Sequence, residues 1–143
     1  MLDYSGFPGM RVLQFAFLGD RETPHLPHNY NGNCIAYSGT HDNNTLLGYV
    51  WEMDGETRRR VFDYCGAGED FDDGVRAIKR TLLASAAPLV IFPIQDLFGF
   101  GADTRMNTPG VAKGNWAYRI TRDQLDALDR DELMKLNRLY CRK

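Results

Sequence analysis

What this sequence lacks narrows its class quickly. No apolar run comes near the roughly 20 residues of a membrane-spanning helix. The first residues, Met1-Leu2-Asp3-Tyr4, show neither the basic nor the apolar region of a secretory leader. Cysteine is scarce. Cys34, Cys65 and Cys141 are odd in number and widely spaced, and no C-x-x-C occurs, so neither a disulfide framework nor a zinc site is implied. Such thiols suit a reducing cytoplasm, the expected location, and Cys34 reads as a buried strand residue. An excess of charge of one sign is also missing. Lys+Arg number 17 and Asp+Glu 19, for a net charge of -2, which argues against a nucleic-acid partner. The one basic cluster, Arg58-Arg59-Arg60, falls in an expected helix and reads as a solvated face. No internal repeat or low-complexity linker divides the chain. With 143 residues, 43% hydrophobic and 25% charged, it has the proportions of a single globular domain spanning residues 1–143.

What is present alternates strand-like and helix-like segments. Met10 to Phe17 reads as a mostly buried strand after the Pro8-Gly9 turn. A loop over 18–33 precedes a short strand from Cys34 to Ser38, with its own loop over 39–46. Helices are expected from Glu56 to Tyr64, stopped by Gly66 and Gly68, and from Asp72 to Ala86, ended before Pro88. In the second, Val75, Ile78, Leu82 and Leu83 share one face. Leu89 to Ile94 reads as a third strand, followed by a long loop from Gln95 to Trp116. The tail from Thr121 to Tyr140 reads as one or two helices, with Thr121 capping the first and Asp129 with Glu132 forming a cap for the second. This order predicts a parallel α/β fold. Three βα units of about 30 residues each fill such a chain, whereas a complete (β/α)8 barrel takes about 250.

The segment richest in chemistry is Tyr37-Ser38-Gly39-Thr40-His41-Asp42-Asn43-Asn44-Thr45. It places a His-Asp pair directly after an apolar run, where a parallel barrel presents functional carboxylates. On residue type alone, a strand-end pair that caps its own loop is the favoured explanation, since Asp and Asn are common turn residues. Other candidates carry the same ambiguity. Gln95-Asp96 follows the third strand, as a functional or a loop-ordering pair. Asn107 suits an Asx turn before Pro109 as well as a ligand contact. His25 and His28 sit three apart in a Pro-rich loop with no evident third metal ligand. Tyr30, Tyr49, Trp51 and Trp116 could stack on a ligand or simply pack.

Four segments taken together reduce the ambiguity. They are Gly6-Phe7-Pro8-Gly9-Met10-Arg11-Val12-Leu13-Gln14-Phe15-Ala16-Phe17, then Leu26-Pro27-His28-Asn29-Tyr30, then Tyr37 through Gly48, and last Pro93-Ile94-Gln95-Asp96-Leu97-Phe98-Gly99 with Arg105-Met106-Asn107-Thr108-Pro109-Gly110 and Gly114-Asn115-Trp116. In order and spacing, over residues 6–119, the chain resembles the C-terminal part of the 4-alpha-glucanotransferases, also called amylomaltases or disproportionating enzymes.

The resemblance implies the C-terminal portion of a (β/α)8 TIM barrel, the three strands here being the sixth to eighth. It implies a retaining transfer of an α-1,4-glucan segment to a new 4-hydroxyl. Such chemistry needs a nucleophilic carboxylate and an acid/base carboxyl about 5 Å apart, and no metal or organic cofactor. The family carries the nucleophile in an Arg-x-Asp-His setting and the acid/base in an Ala-Glu-Asp-Leu-Gly setting; neither occurs in these 143 residues. Its third acid resembles Asp42, the implied transition-state stabiliser, with His41 donating to a neighbouring hydroxyl. Asn107, Asn43, Gln95 and Asp96 are the implied substrate contacts. The chain departs from the family at Asn44, where an acid is frequent, and at Leu18. Lacking the nucleophile and acid/base settings, the chain is expected to be inactive alone and to need the rest of the barrel or to self-associate. The competing expectation is a non-catalytic module that binds carbohydrate or pairs with itself.

Overall fold

The computed structural model describes residues 6–19 and 23–142; the N-terminal Met1–Tyr4 segment and positions 20–22 of the first loop lie outside them. Three strands, β1 (Gly9–Val12), β2 (Cys34–Tyr37) and β3 (Leu89–Ile91), form one sheet in the order β1-β2-β3. All pairings are parallel, running from Gly9 beside Cys34 to Val12 beside Tyr37, and from Ile35 beside Leu89 to Tyr37 beside Ile91. The α/β organisation expected from the alternation of elements is thus present.

Two strands are shorter than their apolar runs. β1 was expected to reach Phe17 but stops at Val12, and Leu13–Phe15 form a 3-10 turn. Its one partner among the described residues, β2, ends at Tyr37, so no ladder remains there to hold the chain extended. The Val12 N–H instead donates to His25 Nδ1 at 3.0 Å. β3 stops at Ile91 because Pro93 cannot donate to a ladder and serves as the N-cap of a short helix, α4 (Ile94–Phe98). The expected loop from Gln95 to Trp116 therefore begins as helix.

Three helices cover one face of the sheet: α1 (Leu46–Glu52), α2 (Gly55–Cys65) and α3 (Phe71–Ala84). α2 and α3 fall where the sequence places them because their caps are local. Asp54 accepts from the Glu56 and Thr57 N–H groups at 3.0 and 2.9 Å, and those bonds hold its carboxyl below the usual range. Asp70 accepts from the Asp73 N–H at 3.0 Å. α1 was not expected. It begins at Thr45, whose Oγ1 accepts from the Gly48 N–H at 3.1 Å. Val75, Ile78 and Leu82 of α3 meet Leu46 and Val50 of α1 and the inward residues Cys34 and Ala36 of β2 in the buried core. Arg58 and Arg60 are more than a solvated face. Arg58 lies over the Phe71 ring at 5.0 Å, and Arg60 donates to the Phe17 carbonyl at 2.7 Å.

The tail resolves into two helices, α5 (Arg122–Asp126) and α6 (Arg130–Leu139). Thr121 and Gln124 form a reciprocal capping box, and Asp129 accepts from the Glu132 N–H at 2.9 Å. Beyond them, the Arg142 guanidinium donates to the Leu83, Ala87 and Ser85 carbonyls at 2.6, 2.9 and 3.0 Å. It thereby satisfies carbonyls that a helix end leaves without partners and pins the tail to the end of α3.

The opposite face of the sheet is bare. Side chains alternate along a strand, so Met10, Leu89 and Ile91 share the face away from the helices, and they are 53%, 49% and 39% exposed. No helix among the described residues is long and apolar enough to cross a membrane.

Candidate functional site

The C-terminal ends of β2 and β3 open onto a cavity of about 370 Å³. Met10, Tyr37 and Ile91 from the strands form its apolar part, and His41, Asn43 and Arg105 bring polar groups to it. The bare sheet face and the functional loop are therefore parts of one surface.

The loop after β2 is fixed from below. Gln14, buried in the middle of the 3-10 turn after β1, donates through Nε2 to the Asn44 carbonyl at 2.8 Å. A Cβ on Gly39 would come within 2.6 Å of that same Nε2, so the loop can close over Gln14 only with glycine at 39. Within the loop, the Thr40 N–H and hydroxyl both donate to Asn43 Oδ1, at 2.9 and 2.8 Å. The Asp42 N–H donates to Thr40 Oγ1 at 3.3 Å. These bonds leave His41 and Asp42 at the tip, with side chains 57% and 50% exposed and His41 Nε2 3.3 Å from Asp42 Oδ1.

A second loop, after α4, grips the same tip. Asn107 donates through Nδ2 to Asp42 Oδ1 at 2.5 Å, and its N–H donates to the His41 carbonyl at 3.1 Å. Arg105 donates from Nη2 to the Asp42 carbonyl at 2.7 Å and from Nε to the Asn107 carbonyl at 2.9 Å. Both side-chain contacts of the carboxylate fall on Oδ1; no described residue bonds Oδ2. Farther along this loop, Trp116 sets its ring 5.0 Å from that of His41, tilted by 41°. Its backbone is left-handed, with φ 61°, a conformation that costs on the order of 1–3 kcal/mol for such a residue.

Asp96 stands in contrast. It is 1% exposed, with Oδ2 accepting from the Ser38 hydroxyl at 2.5 Å and Oδ1 from the Leu46 N–H at 2.7 Å. It joins the end of β2, the start of α1 and the end of β3. Burial pushes its pKa up, opposed by those two bonds and by Lys79. Gln95 is also buried, donating to the Thr104 carbonyl at 3.1 Å. The structure thus brings His41, Asp42 and Asn107 into one cluster, with Asn43 bracing it, and puts Gln95 and Asp96 in the wall behind.

The other candidates separate cleanly. His25 accepts from Val12, and His28 Nδ1 lies 2.9 Å from the Tyr64 hydroxyl. Tyr30 is buried with its hydroxyl on the His25 carbonyl. The Tyr49 hydroxyl donates to the Gln14 carbonyl at 3.1 Å, and burial pushes its pKa up to about 12. Trp51 stacks on Phe71 at 4.6 Å. Leu18 is exposed and does not line the cavity. Asn44 donates to Glu52 Oε1 at 2.6 Å, so an acid at 44 would set two carboxylates against each other. Sequence reading gave no role to Gln14 or Arg105. A glutamine inside the run Val12-Leu13-Gln14-Phe15 was the available signal, since a polar residue in a buried segment needs a partner.

The fold and this cluster define a class: an α/β protein with a cleft at the C-terminal ends of parallel strands, rimmed by a His-Asp-Asn cluster. The chain belongs to the 4-alpha-glucanotransferase family, which it matches over residues 1–125. It is 43% identical over 143 residues to the 4-alpha-glucanotransferase of Synechocystis sp., covering 99% of this chain and 28% of that protein. It is 43% identical over 142 residues to the chloroplastic/amyloplastic 4-alpha-glucanotransferase DPE1 of Arabidopsis thaliana, covering 96% of this chain and 24% of that protein. Its structure is similar to the amylomaltase from Streptococcus agalactiae in complex with acarbose, with a TM-score of 0.91 and 32% identity over 99% of this chain and 28% of that one. The chain thus spans about a quarter of the length of these relatives.

Proposed function

We propose that this chain forms one side of the catalytic cleft of a 4-alpha-glucanotransferase, an enzyme that moves a segment of an α-1,4-glucan to a new 4-hydroxyl with retention. In this reading β1, β2 and β3 are the sixth to eighth strands of a (β/α)8 barrel. The bare sheet face is then the barrel interior, covered by the remaining strands. The observation that carries the reading is the state of Asp42: a strand-end carboxylate, half exposed, with one oxygen held by Asn107 and His41 and the other open to a ligand.

Asp42 binds the hydroxyls of the glucose unit at the cleavage point. Such charge-assisted bonds are stronger than neutral ones, and hydrogen bonds to the 2-hydroxyl that tighten as the oxocarbenium-like transition state forms supply several kcal/mol. His41 donates to a neighbouring hydroxyl of the same unit. Asn107 aligns the carboxylate and reaches the glucan, and Asn43 holds the loop beside it. Gln95 and Asp96 shape the wall without touching sugar.

The same geometry bears on what the chain does alone. Retaining transfer requires two carboxyl groups about 5 Å apart at the reacting carbon. The carboxylate among the cavity-lining residues is Asp96, and both of its oxygens are occupied by protein donors. Neither an Arg-x-Asp-His nor an Ala-Glu-Asp-Leu-Gly setting occurs in the sequence, so the nucleophile and acid/base come from outside these 143 residues, and the setting is a reducing cytoplasm. The protein that carries this segment should release glucose and longer maltooligosaccharides from maltotriose. The isolated chain, shown folded by circular dichroism, should release none. Glucose release by the isolated chain that disappears on Asp42→Ala would overturn this division of labour.

The exposed Met10, Leu89 and Ile91 also favour a second reading, in which the chain is a non-catalytic module that covers this face with another copy of itself. Light scattering separates the two. A concentration-independent monomer that binds no maltodextrin in calorimetry would remove the second.

A further inference from the structure

We propose that Trp116 is a sugar-stacking platform, its indole beside His41 at the tip of the loop after β2 receiving the apolar C–H face of a glucose unit of an α-1,4-glucan whose hydroxyls meet Asp42 and His41. The inference rests on the reading of the cleft given above and adds a residue in direct contact with ligand.

Burial does not explain where this ring sits, since Trp116 is 51% exposed. Its backbone is left-handed at φ 61°, which is a genuine outlier for a bulky residue. Such a conformation persists only where the surroundings over-determine it, and these places cluster at binding sites. Here the loop does over-determine it. The Trp116 N–H donates to the Met106 carbonyl at 2.6 Å. Asn115 accepts from the Thr108 N–H at 2.9 Å and donates to the Val111 carbonyl at 2.7 Å. Arg119 donates to the Trp116 carbonyl at 2.9 Å. None of these bonds buries the indole. Their joint effect is to bring it over His41, at 5.0 Å between ring centroids.

The same loop begins with Arg105 and Asn107, which hold Asp42. One segment therefore delivers a polar grip on a carboxylate and an exposed apolar plane beside it. A pyranose ring has the matching character, with hydroxyls around its edge and C–H groups on its faces. An aromatic residue with an apolar body suits that face, and a few placed polar groups fix orientation in a mostly apolar site. Trp51 shows the difference. It is 64% exposed, yet one face of its ring is already covered by Phe71, stacked at 4.6 Å and 18°.

The test uses the full-length enzyme labelled with 5-fluorotryptophan, the Trp116 resonance being assigned by its loss in Trp116→Phe. On titration with acarbose that resonance should shift and saturate. Trp116→Ala should raise KM for maltotriose roughly three- to tenfold, the worth of one aromatic contact, with a smaller change in kcat, and Trp116→Phe should stay near wild type. A resonance that does not move, or a Trp116→Ala enzyme with unchanged KM and lowered kcat, would overturn the proposal. The second result would make Trp116 only a support for His41. Asp42→Asn assayed in parallel separates this from the underlying reading. If Asp42→Asn retains wild-type turnover, the reading of the cleft fails. If it is inactive while Trp116→Ala keeps its KM, only the stacking role fails.

Discussion

Asp42 and Asp96 both follow short parallel strands, and both lie beside the same cavity, but the protein treats them oppositely. Asp42 has a side chain 50% exposed and one carboxylate oxygen without a donor among the described residues. Asp96 is 1% exposed, with a donor on each oxygen. Position at the end of a strand is therefore not enough to make a carboxylate a ligand group. What matters is whether its lone pairs are still available once the fold has formed. In the Asp42 loop the neighbours stabilise the backbone and leave the acid open; around Asp96 they saturate the acid itself.

Substitutions separate the two roles, beginning with the largest expected effect. The largest effect on stability should come from Asp96→Ala. It leaves the buried Ser38 hydroxyl and Leu46 N–H without acceptors, at about 1–3 kcal/mol each, so the midpoint of urea unfolding should fall clearly. Gly39→Ala should cost about 1–3 kcal/mol by overpacking. Its Cβ would collide with Gln14 Nε2, which cannot swing away without abandoning the Asn44 carbonyl. Urea unfolding measures this too, and an unchanged midpoint would mean that the loop is not clamped by Gln14.

Arg105→Ala should leave stability nearly intact and lower turnover of the full-length enzyme about tenfold, equivalent to about 1.4 kcal/mol. It removes bonds to the Asp42 and Asn107 carbonyls without touching the carboxylate. Arg105→Lys should restore little, because a point-like ammonium does not replace a planar fork.

The smallest effect is a pH dependence. Burial, with Arg11 adding to it, holds the His25 imidazole below its ordinary 6.5, and its neutral Nδ1 accepts from Val12. The unfolded chain binds this proton first as pH falls, so stability should be complete above about 6.5 and decline below it until the folded ring also protonates. His25→Gln, which keeps an acceptor, should flatten that decline in urea titrations between acid and neutral pH. Asp96 slopes the other way. Its raised pKa means the folded state holds the proton longer, so stability falls as pH rises from the ordinary carboxylate value of 3.8 through the raised one.

Much of this architecture was readable in the chain because its causes are local. Asp54, Asp70, Thr121 and Asp129 cap helices that start just after them, and the spacing of Val75, Ile78 and Leu82 sets the buried stripe of α3. The end of β1 was not readable, since it depends on where a strand far along the chain turns away. α1 escaped notice because a seven-residue helix holding Gly48, Tyr49, Val50 and Trp51 has weak intrinsic preference; packing and the Thr45 cap hold it. At the site, the His41-Asp42 pair and Asn107 stand out in sequence. The burial of Asp96 does not, because an aspartate after a strand looks the same whether a distant Ser38 and Leu46 cover it or not. The left-handed backbone of Trp116 is equally silent, being imposed by Met106 and Asn115.

The central claim is that Asp42 serves the sugar and Asp96 serves the fold. Paired Asp42→Asn and Asp96→Asn variants of the full-length enzyme, each measured for initial rate on maltotriose and for Tm, test it most directly. Asp42→Asn should lose about 10²- to 10³-fold in kcat, the range for removing one positioned charge-stabilising group, with Tm unchanged. Asp96→Asn should keep most of its rate and melt lower. A fast Asp42→Asn enzyme, or an Asp96→Asn enzyme that is slow yet fully stable, would contradict the claim.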